Sequence, residues 1–456
     1  MLNKSLKQLI KNLPDIKISG LSLNSQFIKK GEVFISLSDN KKHIIDAFEK
    51  GCVAVLSKYQ YDLENVFYVK NLETQLEILA KNFYTNYNKA KIIAITGTNG
   101  KTTTAYLLQQ TLNNLNNNCA YIGTLGVKST QLNHTLANTT PDIFTLYKTI
   151  ETLVNNKVQT IVLEASSHGL VQNRLAGLNI ENAIFTNLSQ DHLDYHQTMD
   201  DYSKAKMKLF NMSSLKNILV NIDDEFGKKI LKSSKTPNKN TYSINDFIKK
   251  NINQNGFIVQ INNHIFELPL LGEFNLMNAL VVIKQLLLLD YELKDIIPAL
   301  TKTKTIIGRM QRIKNSFVWV DFAHTPDALE KSLQTLKTHF PEKNIKVVFG
   351  CGGNRDTDKR SKMGRIAYDN ADNILLTNDN PRDEDPEQII LDIQKGIPDF
   401  NNTQVIMDRT DAITNAIDTI KEDECVLIAG KGHETEQIIK NKKIPLCDIT
   451  LAETLL

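Results

Sequence analysis

Gly97-Thr98-Asn99-Gly100-Lys101-Thr102-Thr103 is the segment whose chemistry reads most directly from residue type and spacing. Glycines let backbone N–H groups approach phosphate oxygens, and a helix starting just afterwards adds its positive end. Lys101 is then placed to reach the β- and γ-phosphates of a nucleotide, and the Thr102 hydroxyl to ligate Mg²⁺. The usual phosphate-loop pattern has glycine at position 95, where this chain has Ile95, so the loop is a shortened variant. The plainer alternative is a glycine turn with an incidental lysine.

Further along, Glu164 closes an apolar run and is followed by Ala-Ser-Ser-His-Gly-Leu. A carboxylate at a strand end beside a phosphate loop suits Mg²⁺; alone, it reads as an exposed strand-end charge. His192 lies in Thr186-Asn187-Leu188-Ser189-Gln190-Asp191-His192-Leu193-Asp194-Tyr195-His196. His192 and His196 are spaced for zinc on a helix, but Leu188–His196 shows no helical start and no third soft ligand is near. Residues Asp200–Phe210 have helical character, and Lys204, Lys206 and Lys208 read first as a solvated face.

These residues need elements to hold them. Short apolar runs ending in polar or glycine-rich turns recur at Ile92–Thr96, Ile161–Glu164, Ala183–Asn187, Asn217–Asn221, Val347–Gly350, Ile374–Thr377 and Val426–Ala429. They alternate with helical patterns such as Thr102–Leu115, the signature of parallel sheets in α/β units. Ligand chemistry in such sheets gathers at the carboxyl ends of strands, and each motif above falls at one. The expected divisions are residues 1–88, a small α/β unit; 89–306, opening with the strand before Gly97; and 307–456, opening near Gly308–Arg309, where the helix-rich stretch Leu271–Leu300 gives way to a strand at Phe317–Asp321.

The bulk properties limit the function classes. The 456 residues suffice for about three domains. With 54 basic against 51 acidic residues the net charge is +3, so no general basic field for nucleic acid exists. Hydrophobic residues make up 41% and charged residues 23%, which places the chain among ordinary globular proteins. Cys52, Cys119, Cys351, Cys425 and Cys447 form no CxxC pair and read as reduced thiols. The N-terminus has no apolar core of a signal peptide and no run approaches a membrane span, so a cytoplasmic protein without membrane or nucleic-acid partners is expected.

Taken in order, GTNGKTT (97–103), NTTPD (138–142), EASSHGLVQNR (164–174), TNLSQDHLDYH (186–196), YSKAK (202–206), GEFNLMN (272–278), GRM (308–310), DFAHTPDAL (321–329), FGCGGNRD (349–356), DNPR (379–382) and GKGHE (430–434) resemble the Mur ligases of peptidoglycan synthesis. The likeness runs over about residues 15–440 and is strongest to the branch adding the third amino acid to UDP-N-acetylmuramoyl-L-alanyl-D-glutamate. It implies an α/β protein of three domains: a small N-terminal UDP-binding domain, a central P-loop-type ATPase with a mainly parallel sheet, and a Rossmann-like C-terminal domain carrying the incoming amino acid. Such a ligase uses ATP and Mg²⁺ to activate a carboxylate as an acyl phosphate, in the service of cell-wall synthesis, cell shape and division. A monomer is expected.

The resemblance also assigns residues. Gly97 through Thr103 contact ATP, with Asn275 and Asn278 around the adenine and Arg309 and Asp321 at phosphate and ribose. Lys206 becomes a carbamylated lysine, which reverses the solvated-face reading, and joins Thr102, Glu164 and His192 in holding metal. Leu23, Ser25, Asn138, Thr139, Thr140, Ser166, Gln172 and Arg174 match contacts to the UDP-sugar peptide. Asn24 and Gln26 depart from the Asp and Arg usual there, and Leu446–Thr450 departs from the acidic and basic residues common in the tail. Arg355, Asp379, Asn380, Pro381, Arg382, Gly430 and Glu434 match contacts to the acceptor.

Arg382 bears on the choice of acceptor. In this family an arginine here accompanies addition of meso-2,6-diaminopimelate, whose far carboxylate lysine lacks, and a guanidinium grips a carboxylate through two parallel bonds. One charge-assisted bond contributes about 1.5–3 kcal/mol, roughly 10- to 150-fold in discrimination. A lysine-adding relative, a folylpolyglutamate synthase-like ligase and a nucleotide-binding switch without ligase chemistry are the alternatives. His324 and His433 are candidates for deprotonating the incoming amine.

Overall fold

The computed structural model describes residues 4–456, an α/β protein that divides into two compact units. The first unit takes the residues through Ala94 together with Asn117–Asn182 and Met212–Lys216. Four short parallel strands, Gly20–Ser22, Glu32–Ser36, Ala54–Ser57 and Val66–Tyr68, pair in chain order. Phe34 and Val55 pack with Ile44 and Ala47 of the helix Lys41–Glu49, which Asn40 caps through Lys42 N–H at 3.0 Å. The same unit pairs Cys119–Gly123 in parallel with Thr160–Glu164, and the helix Ile143–Asn155 connects them. Asp142 caps that helix by accepting from Phe144 and Thr145. Parallel neighbours need such a crossover, because a tight turn cannot reverse the chain twice.

The second unit comprises Ile95–Asn116, Ala183–Asn211 and Asn217–Leu456. The helix Lys101–Asn114 packs against Glu273–Leu287 and Leu293–Thr301, the two helices into which the 271–300 stretch resolves. A six-stranded sheet follows, in the order Gln311–Arg312, Val318–Asp321, Glu424–Ala429, Asn344–Phe349, Asn373–Leu376 and Thr403–Val405. Only its first pairing is antiparallel. Side chains alternate across it as period two requires. Trp319, Val347, Phe349 and Leu427 face the helices Pro326–His339, Asp358–Asn370 and Pro386–Gln394, while Val318, Val320, Val348 and Ile428 face Arg409–Asp418 and Asp448–Leu455. Covering both faces explains why these strands read as continuous apolar runs.

Two readings need revision. A single helical turn does form at Leu193–His196, and His192, at φ 55°, sits just before it. Lys204 is exposed and pairs with Asp200 at 2.5 Å, whereas Lys206 two residues on is 1% exposed, so a single solvated face is wrong for this helix. Among the described residues no helix is long and apolar enough to cross a membrane.

Candidate active site

The phosphate loop is shaped by two glycines. Gly100 has φ 82°, and a Cβ on it would stand 2.5 Å from Asn278 Oδ1; a Cβ on Gly97 would stand 1.9 Å from Thr186 Oγ1. Thr98 N–H and Asn99 N–H donate to Asn187 O and Oδ1 at 2.8 and 2.9 Å, so these two amides fix the loop rather than a phosphate. The first turn of Lys101–Asn114 carries the amides of Lys101, Thr102 and Thr103, which point along the helix axis toward its positive end. Lys101 Nζ folds back onto Gly97 O and Thr98 O at 3.0 and 2.8 Å, holding its ammonium over the loop that a phosphate would enter.

Lys206 reaches the same loop from the helix Met199–Phe210. Its Nζ donates to Gly97 O at 2.7 Å and lies 4.2 Å from the Tyr202 ring centre. Burial, then the Lys101 cation, holds its pKa well below the usual lysine value. Tyr202 in turn lies 3.2 Å from Thr98 Oγ1. His192 Nε2 is 3.4 Å from Asp191 Oδ2. Asp191 keeps a lowered pKa despite its burial, because His192, His324, Lys359 and Lys101 surround it with positive charge.

Asn275 and Asn278 form a polar chain in the mainly apolar helix Glu273–Leu287. Thr104 Oγ1 donates to Asn278 Oδ1 at 3.1 Å, Asn278 Nδ2 to Asn275 Oδ1 at 3.2 Å, and Asn275 Nδ2 to Leu271 O at 2.9 Å. Asp321 is also engaged, accepting from Met310 N–H at 2.6 Å and Ser332 Oγ at 3.1 Å. Its pKa is raised by burial, against the pull of Arg309. The Arg309 guanidinium stacks over the Phe322 ring at 4.3 Å. His324 Nδ1 lies 2.8 Å from Phe322 O, which assigns the ring proton to Nδ1 and leaves Nε2 as an acceptor.

A second cluster forms at the carboxyl ends of the six-stranded sheet. Arg382 adopts φ 53°, and its Nη1 donates to Gly353 O at 2.8 Å. Its pKa is lowered by burial, then by the cation of Arg355. Among the described residues neither arginine has a carboxylate within ion-pair distance, and Asp379, Glu434 and Glu384 act on Arg382 only from farther off. Glu434 accepts from Asn380 Nδ2 at 2.8 Å and from the buried Lys431 ammonium at 2.9 Å. Asn380 Oδ1 accepts from Lys431 and Ile438 N–H, so Asn380 sets the direction of Glu434. Gly430 (φ 116°) passes so near Asp379 that a Cβ would meet its Oδ2 at 2.7 Å.

In the first unit, Glu164 is fully buried, so an exposed strand-end charge is excluded. Its Oε1 accepts from Tyr121 OH and, at 3.0 Å, from Thr124 N–H. Thr124 Oγ1 bridges Glu164 Oε2 and Thr139 Oγ1 at 3.2 and 3.0 Å. Thr140 Oγ1 donates to Glu164 O and accepts from Ser166 N–H. Arg174 directs Nε and Nη2 at Gln172 Oε1, a forked arrangement that a carboxylate could take over, and Nη1 at Thr140 O. Asn138 is exposed beside them. Leu23 and Ser25 follow the strand Gly20–Ser22, in a turn where Asn24 Oδ1 accepts from Gln26 N–H at 2.8 Å. Gln26 then bonds Asp46 and Lys50, which gives both departures from the expected residues a local role.

Two family models match this arrangement: the Mur ligase middle domain over residues 95–286 and the Mur ligase, glutamate ligase domain over 308–432. The UDP-N-acetylmuramoyl-L-alanyl-D-glutamate--2,6-diaminopimelate ligase of Rickettsia montanensis is 39% identical, covering 98% of this chain and 97% of its own. The chain belongs to the Mur ligase family. The ligase of the same name from Pseudomonas aeruginosa is 37% identical over 96% of this chain and 95% of its own. A solved structure of a ligase so named is 33% identical, with a TM-score of 0.66, and covers 100% of this chain and 99% of that one. Folylpolyglutamate synthase of Mycobacterium tuberculosis shares the fold at 16% identity, with a TM-score of 0.64 over 78% of this chain and 92% of that one.

Several groups in these clusters carry no role in the sequence reading. Asp191 is one carboxylate among many until the fold surrounds it with cations. Tyr121 and Thr124, which hold Glu164, lie in a stretch without any motif. Lys431 stands inside GKGHE, and its complete burial beside Glu434 was the missing information.

Proposed function

We propose that this protein is the ATP-dependent ligase that joins meso-2,6-diaminopimelate to UDP-N-acetylmuramoyl-L-alanyl-D-glutamate in peptidoglycan precursor synthesis, acting in the cytoplasm. The observation that carries the choice of acceptor is the pair Arg355 and Arg382, neither of them ion-paired among the described residues, with the Glu434 carboxylate in electrostatic range. Diaminopimelate presents a carboxylate and an ammonium at its far end, and that pairing matches two guanidiniums and a carboxylate. Lysine would leave the Arg382 cation half-buried and unpaired, a cost that adds to the lost bond.

In the proposed reaction the substrate's glutamate carboxylate attacks the γ-phosphorus of ATP, forming an acyl phosphate and ADP. The acceptor amine then attacks the acyl carbon and phosphate leaves. Lys101 and the first-turn amides of the helix Lys101–Asn114 stabilise charge on the phosphoryl oxygens. Arg309 and Asp321 are assigned to the nucleotide, with Asn275 and Asn278 shaping the adenine side. Leu23, Ser25, Asn138–Thr140, Ser166, Gln172 and Arg174 are assigned to the UDP-sugar peptide. The domain divisions proposed for these tasks are 1–88, 89–306 and 307–456.

Among the described residues no cluster of three or more His, Cys, Asp or Glu side chains could hold a metal. Mg²⁺ takes few protein ligands and completes its shell with phosphate oxygens and water. Thr102, Glu164 and His192 are the proposed holders, and bound Mg²⁺ would neutralise phosphate charge. Lys206 as an ammonium cannot serve. Its buried, depressed amine favours the neutral form, whose lone pair adds to the carbon of CO₂; loss of one proton then leaves a carbamate anion beside the loop. The test of the overall reading is phosphate release that requires ATP, the UDP-linked dipeptide and diaminopimelate together. Release independent of the acceptor would contradict it.

A further inference from the structure

Arg409 and Asp448 form a two-pronged ion pair with both side chains fully buried, Nε to Oδ1 at 2.9 Å and Nη2 to Oδ2 at 2.7 Å. Neither belongs to a motif that carries the ligase chemistry. Arg409 begins the helix Arg409–Asp418, and Asp448 begins the last helix, Asp448–Leu455. The guanidinium has two further partners: Nη2 donates to Ala429 O at 3.0 Å and Nη1 to Asn378 O at 3.3 Å.

Those carbonyls are significant by position. Ala429 immediately precedes Gly430, and Asn378 immediately precedes Asp379. The strands Glu424–Ala429 and Asn373–Leu376 are not neighbours, because Asn344–Phe349 runs between them. One side chain therefore ties the exits of two strands across a third. It also underlies the site floor: a Cβ on Gly430 would lie 4.0 Å from Arg409 Nη2 and 2.7 Å from Asp379 Oδ2. An ion pair buried this deeply is no stabilising necessity, since well-packed apolar residues commonly replace such pairs without loss. What an apolar pair cannot do is donate to two carbonyls at once.

We infer that Arg409, oriented by Asp448, is a positioning residue for the acceptor amino acid. It fixes the spacing between the 378–382 loop, which carries Arg382, and the 430–434 loop, which carries Glu434. The site thereby selects an acceptor by the relative placement of its charged ends. This rests on the proposed acceptor site.

The test is steady-state kinetics on the intact enzyme, varying each of the three substrates in turn, for Asp448→Asn and for the double variant Arg409→Met with Asp448→Leu. Asn keeps the shape of Asp448 but turns an N–H donor toward a donor of Arg409. The double variant removes the carbonyl tether and leaves no buried charge unpaired. In both, the KM for diaminopimelate should rise roughly 10- to 100-fold, with the KM values for ATP and the UDP-linked dipeptide within about twofold, a scatter too small to be a lost contact. Wild-type diaminopimelate KM in the double variant would overturn the inference, as would a parallel rise in all three KM values. Failure of both variants to fold would overturn it too, by making the pair a stability element. Absence of turnover with diaminopimelate in the wild-type enzyme would instead reject the acceptor assignment itself.

Discussion

Lys206 Nζ lies 2.7 Å from the carbonyl oxygen of Gly97, fully inside the protein and without an ion-pair partner among the described residues. The same carbonyl accepts from Lys101 at 3.0 Å, so two lysines converge on one oxygen of the phosphate loop. Two cations at that spacing would repel, and burial adds to the cost, so the neutral amine of Lys206 is favoured. Its conversion into an anion would put an attractive charge beside Lys101.

This gives the first prediction. In ¹³C NMR with labelled bicarbonate, the wild-type enzyme should show a carbamate carbon that is lost in Lys206→Ala. The variant's turnover should fall by roughly 100-fold or more, the scale for removing a preorganised charge, and a small added carboxylate should restore part of it. A normal rate in Lys206→Ala would contradict the role.

Gly100→Ala should disable the loop. At φ 82° a side chain costs about 1–2 kcal/mol, and the new Cβ displaces Asn278 Oδ1, which Thr104 bonds. Weaker ADP binding by calorimetry, together with a lower thermal midpoint, is expected. An unchanged ADP affinity would show that the loop tolerates another geometry.

Lys101→Ala should abolish acceptor-dependent ATP use while leaving the chain folded, since its bonds to Gly97 O and Thr98 O lie within its own loop. The ADP-forming rate and the circular dichroism spectrum measure the two parts separately. Near-normal turnover would refute the assignment of the loop.

Acid should weaken the fold through neutral histidines. His339 Nε2 accepts from Gly272 N–H at 3.1 Å while Nδ1 faces Asn253 O at 2.7 Å, so the ring must be neutral. Burial lowers its pKa, and burial, then Arg309, takes that of His433 to about 3. A folded pKa below the unfolded value means that the unfolded chain binds more protons, so stability falls as pH drops below about 6.5. For His433 the loss continues toward about 3. Urea midpoints between pH 7.5 and 5 should decline, and His433→Gln should flatten the decline. A midpoint that rises toward acid would contradict the assignment.

The phosphate loop was legible because its information is local: two glycines, a lysine and a helix start within seven residues. The strands were legible because both sheet faces are covered, which leaves apolar runs with clear ends. Lys206 was legible only through the family resemblance, since three lysines at alternate positions look alike until the fold buries one of them under Gly97. Arg355 and Arg382 are motif residues from separate loops, and only the sheet brings their charges together. The pairing of Arg409 with Asp448 has no local signature, because each is an ordinary helix-start residue whose partner is distant in sequence.

The most direct measurement is the ratio of kcat/KM for meso-diaminopimelate over L-lysine, in the wild-type enzyme and in Arg382→Ala. The wild type should favour diaminopimelate by at least roughly 10- to 150-fold, the worth of one charge-assisted bond, and Arg382→Ala should lose most of that preference. Equal or better use of lysine by the wild type would contradict the acceptor assignment.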